Sequence, residues 1–264
     1  MQVITSKDNE QIKYIKKLKD KKYRDEFGEY IIEGVKTVQE AIMEKAEVAL
    51  IVVCDDCEKQ GIFDQKFLYE VAKYNCIYVN QKVFETITEV QNPQGVLAII
   101  SKKESKNKID YSKDFICVLD SVQDPGNLGT IIRTLDSAGI GQIVISKGSV
   151  DAYLSKVVRS TMGAIFRVEI VEVENLENTI KDIKKKNFKI VATSLETEKS
   201  IYNIEYKKTA IVIGNEANGI SEKILNLADE KVKIPMLGRT ESLNASVAAG
   251  IIVYEYVRQK GKYL

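Results

Sequence analysis

From Phe115 to Ile234 the chain alternates short, almost wholly apolar runs with amphipathic stretches, and that pattern leaves few folds open. Phe115–Leu119, Gln142–Ile145, Ile165–Val168, Lys189–Ala192, Ala210–Ile213 and Lys231–Ile234 read as strands. Strands apolar on both faces need cover on both, and helices in the intervals supply it. Leu128, Ile131, Ile132 and Leu135 lie at i, i+3, i+4 and i+7 on one such helix, and a last helix is expected from about Leu243 to Gln259. The expected fold is therefore α/β, with a mostly parallel sheet. Sheets of this kind present their ligand crevice at the carboxyl ends of the strands.

The first hundred residues alternate in the same way. A helix is expected over residues 8–24, with Ile12, Ile15 and Leu18 inward. Strands follow at Tyr30–Glu33, Val48–Val53, Cys76–Val79 and Val96–Ile100, with helices at Val35–Glu44 and Gln65–Tyr74. Ser101–Lys108 is polar and without periodicity. This places a smaller domain at residues 1–100, a linker at 101–113 and a second domain at 114–264.

The chain of 264 residues contains no histidine, which excludes serine–histidine and cysteine–histidine hydrolysis. Cys54 and Cys57 have C-x-x-C spacing, but a structural zinc wants four ligands, so reduced, partly buried thiols and no metal are expected. No apolar run approaches the ~20 residues needed to cross a bilayer, and the first residues lack the apolar core of a secretory signal. No membrane partner and a cytoplasmic location are expected. Net charge is only +1, yet across residues 13–24 Lys13, Lys16, Lys17, Lys19, Lys21, Lys22 and Arg24 face a single acid, Asp20. Such a stripe is the footprint of a phosphate-backbone binder, or a solvated helix face.

Three bends carry polar residues where an apolar strand stops. After the first, Asp124-Pro125-Gly126 is turn chemistry, with Asn127 a natural N-cap and Arg133 at the edge of an apolar helical face. The Gly126-x-x-Gly129 spacing misses the dinucleotide fingerprint, and there is no P-loop. At the second, Gly214 ends a strand, Glu216 stands at the rim, and Asn218-Gly219 turns before Ser221 caps a helix. At the third, Ser242 and Asn244 open a helix of small residues, Ala245, Ser246, Ala248, Ala249 and Gly250, against which another backbone can lie closely.

These segments resemble the three signature motifs of the SpoU/TrmH family of SPOUT-superfamily RNA ribose 2′-O-methyltransferases. Asn127 and Arg133 match the first, Gly214 and Glu216 the second, and Ile234-Pro235-Met236 with Ser242-Leu243-Asn244 the third. Lys156–Phe166 resembles a fourth family segment. Ile31-Ile32-Glu33-Gly34 and Pro93-Gln94-Gly95-Val96 resemble the family's N-terminal substrate-binding domain, an α/β module similar to certain ribosomal proteins.

The resemblance implies a C-terminal domain with a deep trefoil knot, which binds S-adenosylmethionine and pairs with a second copy to form a homodimer. It implies cofactor contacts at Gly214, Ile234, Met236, Leu243 and Asn244. Catalytic roles are implied for Arg133, Asn127, Glu216, Ser242 and Asn244. An RNA-binding side would use Lys13, Lys16, Lys17, Lys21, Lys22, Arg24 and Arg159. Because a guanidinium stays protonated, the expected role of Arg133 is to clamp a phosphate and stabilise a developing alkoxide. The implied substrate is 23S rRNA, by analogy with relatives that carry the extra domain. The alternatives are a tRNA ribose methyltransferase with the same catalytic set, or a non-catalytic RNA-binding protein of ribosome assembly.

Overall fold

The computed structural model describes residues 3–102 and 108–261. They divide into two compact units, Met1–Glu104 with Tyr153–Phe166, and Ser105–Ala152 with Arg167–Leu264. Of the expected linker, residues 103–107 lie outside the described residues. Past them, Asp110 and Gln142 exchange two hydrogen bonds (2.9 and 2.8 Å), and Tyr111 packs on the second unit's core.

In the first unit the strands are β1 (Val3–Ile4), β2 (Glu29–Glu33), β3 (Val48–Cys54), β4 (Cys76–Val79) and β5 (Val96–Ser101). They form a mixed sheet in the order β1-β4-β3-β5-β2, with β5 antiparallel to both its neighbours. Ile12, Ile15 and Leu18 pack with Leu50, Val52 and Phe84 in one core, as their helical spacing predicts. The two family-like stretches meet: the Gln94 side chain accepts the backbone N–H of Val35, just after Gly34 (2.9 Å). All four cysteines are free thiols, Cys54 and Cys117 buried.

The helix expected over residues 8–24 is two helices, Glu10–Lys17 and Lys21–Phe27. Asp20 leaves the helical conformation (φ −93°, ψ 133°) and its carboxylate accepts the N–H of Lys22, so a capping residue inside a continuous charge run starts a new helix. Arg24 is turned inward, 4% exposed, and donates to the carbonyls of Leu18 (2.9 Å) and Lys19 (2.7 Å). These are carbonyls that the end of the first helix leaves without partners.

The second unit is built on β6 (Phe115–Leu119), β7 (Gln142–Ser146), β8 (Glu169–Val173), β9 (Lys189–Thr193), β10 (Thr209–Ile213) and β11 (Glu230–Val232). Its sheet runs β11-β9-β10-β6-β7-β8 with every neighbouring pair parallel. The central strands β6 and β10 are buried along their whole length, as near-continuous apolar runs in a covered sheet should be. The strand expected at Ile165–Val168 is displaced to Glu169–Val173. The preceding helix, Ser155–Thr161, which belongs to the first unit, ends in two left-handed residues, Met162 (φ 50°) and Gly163 (φ 90°), and Ala164–Phe166 is a 3-10 turn whose apolar side chains are buried. The real strand lies at the sheet edge and points Glu169 and Glu172 outward, so it lacks the apolar signature of its neighbours. No helix among the described residues is long and apolar enough to cross a membrane.

The Asp20 cap gives the first prediction. Asp20→Ala should lower stability against urea by about 1 kcal/mol, whereas Asp20→Asn, which keeps the acceptor, should stay within a few tenths.

Candidate active site

Strands β6 and β10 lie side by side in register, Leu119 opposite Ile213, so the bends that follow them leave the sheet together. The β6 bend feeds the helix Pro125–Ser137, and the β10 bend folds back on itself through a pair of hydrogen bonds between Asn215 and Gly219 (2.9 and 3.0 Å). Gly214 permits that closure. A Cβ there would stand 2.2 Å from the carbonyl carbon of Gly219, closer than real contacts allow.

The helix after β6 starts one turn earlier than the sequence indicates. Its N-cap is Asp124, whose carboxylate accepts the N–H of Asn127 (2.8 Å), so Asn127 is not the cap and its own side chain is left for another task. That side chain is 7% exposed. Its Nδ2 donates to Glu216 Oε1 (2.8 Å), and its Oδ1 accepts from Asn244 Nδ2 (2.9 Å). Asn244 is the N-cap of the helix Ala245–Gln259, and its Oδ1 accepts the N–H groups of Ser246 and Val247. Side chains from all three bends are thus joined through one carboxamide.

Glu216 also accepts the backbone N–H groups of Gln123 and Asp124 (3.2 Å each). Partial burial pushes its carboxyl upward, but the Asn127 amide and the surrounding backbone N–H groups outweigh this and hold it below the ordinary carboxylate range. A second set of bonds ties the same two bends together. Asp120, directly after β6, accepts the N–H (2.9 Å) and hydroxyl (2.8 Å) of Ser221. Asn215 Nδ2 donates to the carbonyl of Ser121 (2.8 Å), whose N–H donates to Ser146 Oγ (2.8 Å). Ser221 stands at a helix N-cap position, yet its hydroxyl serves Asp120 rather than that helix. Asp120 and Asn215 were not among the expected site residues. The available signal was a charged residue immediately behind the apolar run Phe115–Leu119.

Strands β10, β9 and β11 are consecutive neighbours, and beyond β11 the chain crosses Ile234–Leu243 before the final helix. Among the described residues, no hydrogen bond or ion pair involves Ile234–Leu243. Its backbone donors and acceptors are therefore available to a ligand, and its apolar side chains lie open: Leu237 is 100% exposed and Leu243 36%, with Ile234 and Met236 partly covered. A stretch with unused backbone polar groups and bare apolar side chains suits a molecule with a polar-edged ring and an aliphatic arm. That is the chemistry of S-adenosylmethionine. Among the described residues, no cluster of three or more histidine, cysteine, aspartate or glutamate side chains could hold a metal ion.

Arg133 lies two turns into its helix, exposed, and no carboxylate pairs with it among the described residues. Ser242 is exposed on the unbonded segment. The structure therefore joins Asn127, Glu216 and Asn244 directly, and sets Gly214 at the base of the β10 bend. The lysine stripe belongs to the other unit, as does Arg159, whose guanidinium donates to Ser155 one turn earlier on the same helix.

Two family models match separate stretches of the chain. Residues 114–254 match the SpoU rRNA Methylase family, and residues 9–98 match the MRM3-like substrate binding domain. The 23S rRNA (guanosine(2553)-2′-O)-methyltransferase RlmP of Bacillus subtilis (strain 168) is 32% identical, over 96% of this chain and 98% of its own length. An AdoMet-bound rRNA methyltransferase from Sinorhizobium meliloti superposes with a TM-score of 0.83 at 31% identity, covering 97% of each chain. A TrmH/SpoU tRNA modifying enzyme from A. aeolicus is 36% identical with a TM-score of 0.51, but covers 57% of this chain and 77% of its own.

Two predictions come from this geometry. Gly214→Ala should lose about 3 kcal/mol or more of stability, read by denaturant unfolding, because its new methyl meets backbone rather than a movable side chain. Glu216 has a depressed native pKa, so its contribution is complete above the unfolded value of ~4.3 and is lost as the pH falls through the lower native one. The stability gap between wild type and Glu216→Gln should therefore be constant above about pH 5 and shrink below about 4.3.

Proposed function

The chain belongs to the SpoU rRNA methylase family, and from that premise we propose that it methylates a ribose 2′-hydroxyl of 23S rRNA, in the cytoplasm and as a homodimer. It is an S-adenosylmethionine-dependent RNA 2′-O-ribose methyltransferase. The observation that carries the assignment of roles is the Asn127 carboxamide, bonded to Glu216 on one side and Asn244 on the other.

Bound S-adenosylmethionine supplies a methyl group made electrophilic by its sulfonium. Backbone groups at Gly214, Ile234, Met236 and Leu243, together with Asn244, would hold it, and the unpartnered segment Ile234–Leu243 supports that reading. What remains for the protein is placement of the ribose and stabilisation of negative charge on its oxygen. No imidazole is available to take the hydroxyl proton, since the chain has no histidine, and the proton leaves to water. Arg133 is a clamp: its guanidinium keeps its proton and offers five N–H donors in a fixed fork, suited to the neighbouring phosphate and the developing alkoxide. Having no carboxylate partner among the described residues, it can engage the RNA without breaking an ion pair. Glu216 fixes the direction of the Asn127 amide, and Asn127 in turn fixes the start of the final helix, just past Ser242.

Ribosomal RNA is favoured over tRNA because the match to the A. aeolicus tRNA enzyme covers 57% of this chain. The match to the B. subtilis rRNA enzyme covers 96%. Pairing with a second copy is supported by Val247, Ile251 and Tyr254, spaced i, i+4, i+7 on the final helix, of which Val247 and Tyr254 are half-exposed. The trefoil threading is supported by the crossed strand order β11-β9-β10-β6.

Mapping ribose methylation across total RNA from cells with and without this protein should show one site in 23S rRNA lost. Retention of every 23S site, or loss of a tRNA site, overturns the substrate reading. In single-turnover assays Arg133→Lys should be slower by about 100-fold or more, because lysine cannot reproduce the fork. Cofactor affinity measured by calorimetry should be unchanged.

A further inference from the structure

The break between the first two helices rearranges the lysine stripe. On a continuous helix, Lys17 and Lys22 would be five residues and about 140° apart, facing different ways. Instead Lys17 closes one helix and Lys22 lies in the first turn of the next, and both ammonium groups stand 5.5 Å from the centroid of the Tyr23 ring. The ring is braced in turn by Phe27, stacked at 5.9 Å with an interplanar angle of 23°, and Phe27 leans on Tyr14 at 5.1 Å.

Of the other five cations of the stripe four are already engaged, and Lys16 makes neither an ion pair nor a ring contact among the described residues. Lys13 pairs with Glu10 (2.8 Å) and Lys21 with Asp25 (3.1 Å). Lys19 donates to the carbonyls of Thr86 and Thr88, and Arg24 is buried against its own turn. Lys17 and Lys22 make no ion pair among the described residues. Their setting differs from that of Lys73, which also lies over a tyrosine (4.5 Å) but is neutralised by Glu70 (2.7 Å).

We propose that Tyr23 gathers Lys17 and Lys22 into a two-ammonium site for the phosphate backbone of the substrate RNA. This rests on the reading of the chain as an RNA methyltransferase and assigns the RNA contact of the first unit. The electron-rich ring attracts both cations and limits where their flexible stems carry the charge. Two ammoniums held at one ring, neither of them ion-paired among the described residues, form a site that an RNA phosphate neutralises, releasing counterions. The site lies within residues 9–98, which match a substrate-binding domain.

The test uses the full-length chain, a fluorescein-labelled hairpin RNA of mixed sequence, and anisotropy titrations over a salt series, with methyl incorporation into total RNA measured in parallel. Lys17→Ala and Lys22→Ala should each lower the slope of log Kd against log salt by about 0.7 to 0.9. Lys73→Ala should leave the slope unchanged. Tyr23→Leu should weaken binding several-fold, and Tyr23→Phe, which keeps the ring, should bind as wild type does. Unchanged slopes in both lysine variants overturn the proposal, as does a Tyr23→Phe protein that binds as weakly as Tyr23→Leu. If those slopes are unchanged while methyl incorporation persists, the phosphate site is wrong and the reading of the reaction stands. Lowered slopes with no methyl incorporation by the wild-type chain support the site and overturn the reaction.

Discussion

The candidate site depends on one carboxamide that donates in one direction and accepts in the other. Asn127 is buried, its Nδ2 is spent on Glu216 and its Oδ1 on Asn244. Only an amide side chain of this length offers both functions without charge. A carboxylate at this position would face Glu216 with like charge, and an apolar residue would leave both partners short of a bond in a partly desolvated place. The three bends are therefore interdependent, because the position of each is defined through a side chain supplied by another.

Much of this is legible in the sequence. The alternation of apolar runs and helical stripes predicts the parallel sheet, since strands such as Phe115–Leu119 and Ala210–Ile213 have no polar face to offer water. Residues at the ends of those strands then fall at the crevice by geometry alone. Local competition between signals was less legible. Asp124 and Asn127 are both good caps three residues apart, and the sequence does not say which one the helix takes. Asp20 sits among lysines that favour a continuous helix, and its capping bond prevails. The edge strand Glu169–Val173 carries two glutamates because one side of its ladder has no neighbour.

Long-range pairs were also beyond the reach of sequence reading. The partnership of Asp120 with Ser221 spans a hundred residues of chain, and neither residue type announces the other. Asp120 is buried, and its carboxylate accepts both donors of Ser221 and the hydroxyl of Ser121. The bends are thus clamped at their bases by this set and at their rims by Asn127.

The segment Ile234–Leu243 stands apart from this rigidity. Ten consecutive residues with no internal bond, carrying a fully bare leucine, have little enthalpy holding them in one shape. Ordering such a segment against a ligand costs conformational entropy, much of which the bends joined by amide and carboxylate bonds have already given up. A ligand that touches both the segment and the bends therefore meets one partner that must be ordered and one that is already set.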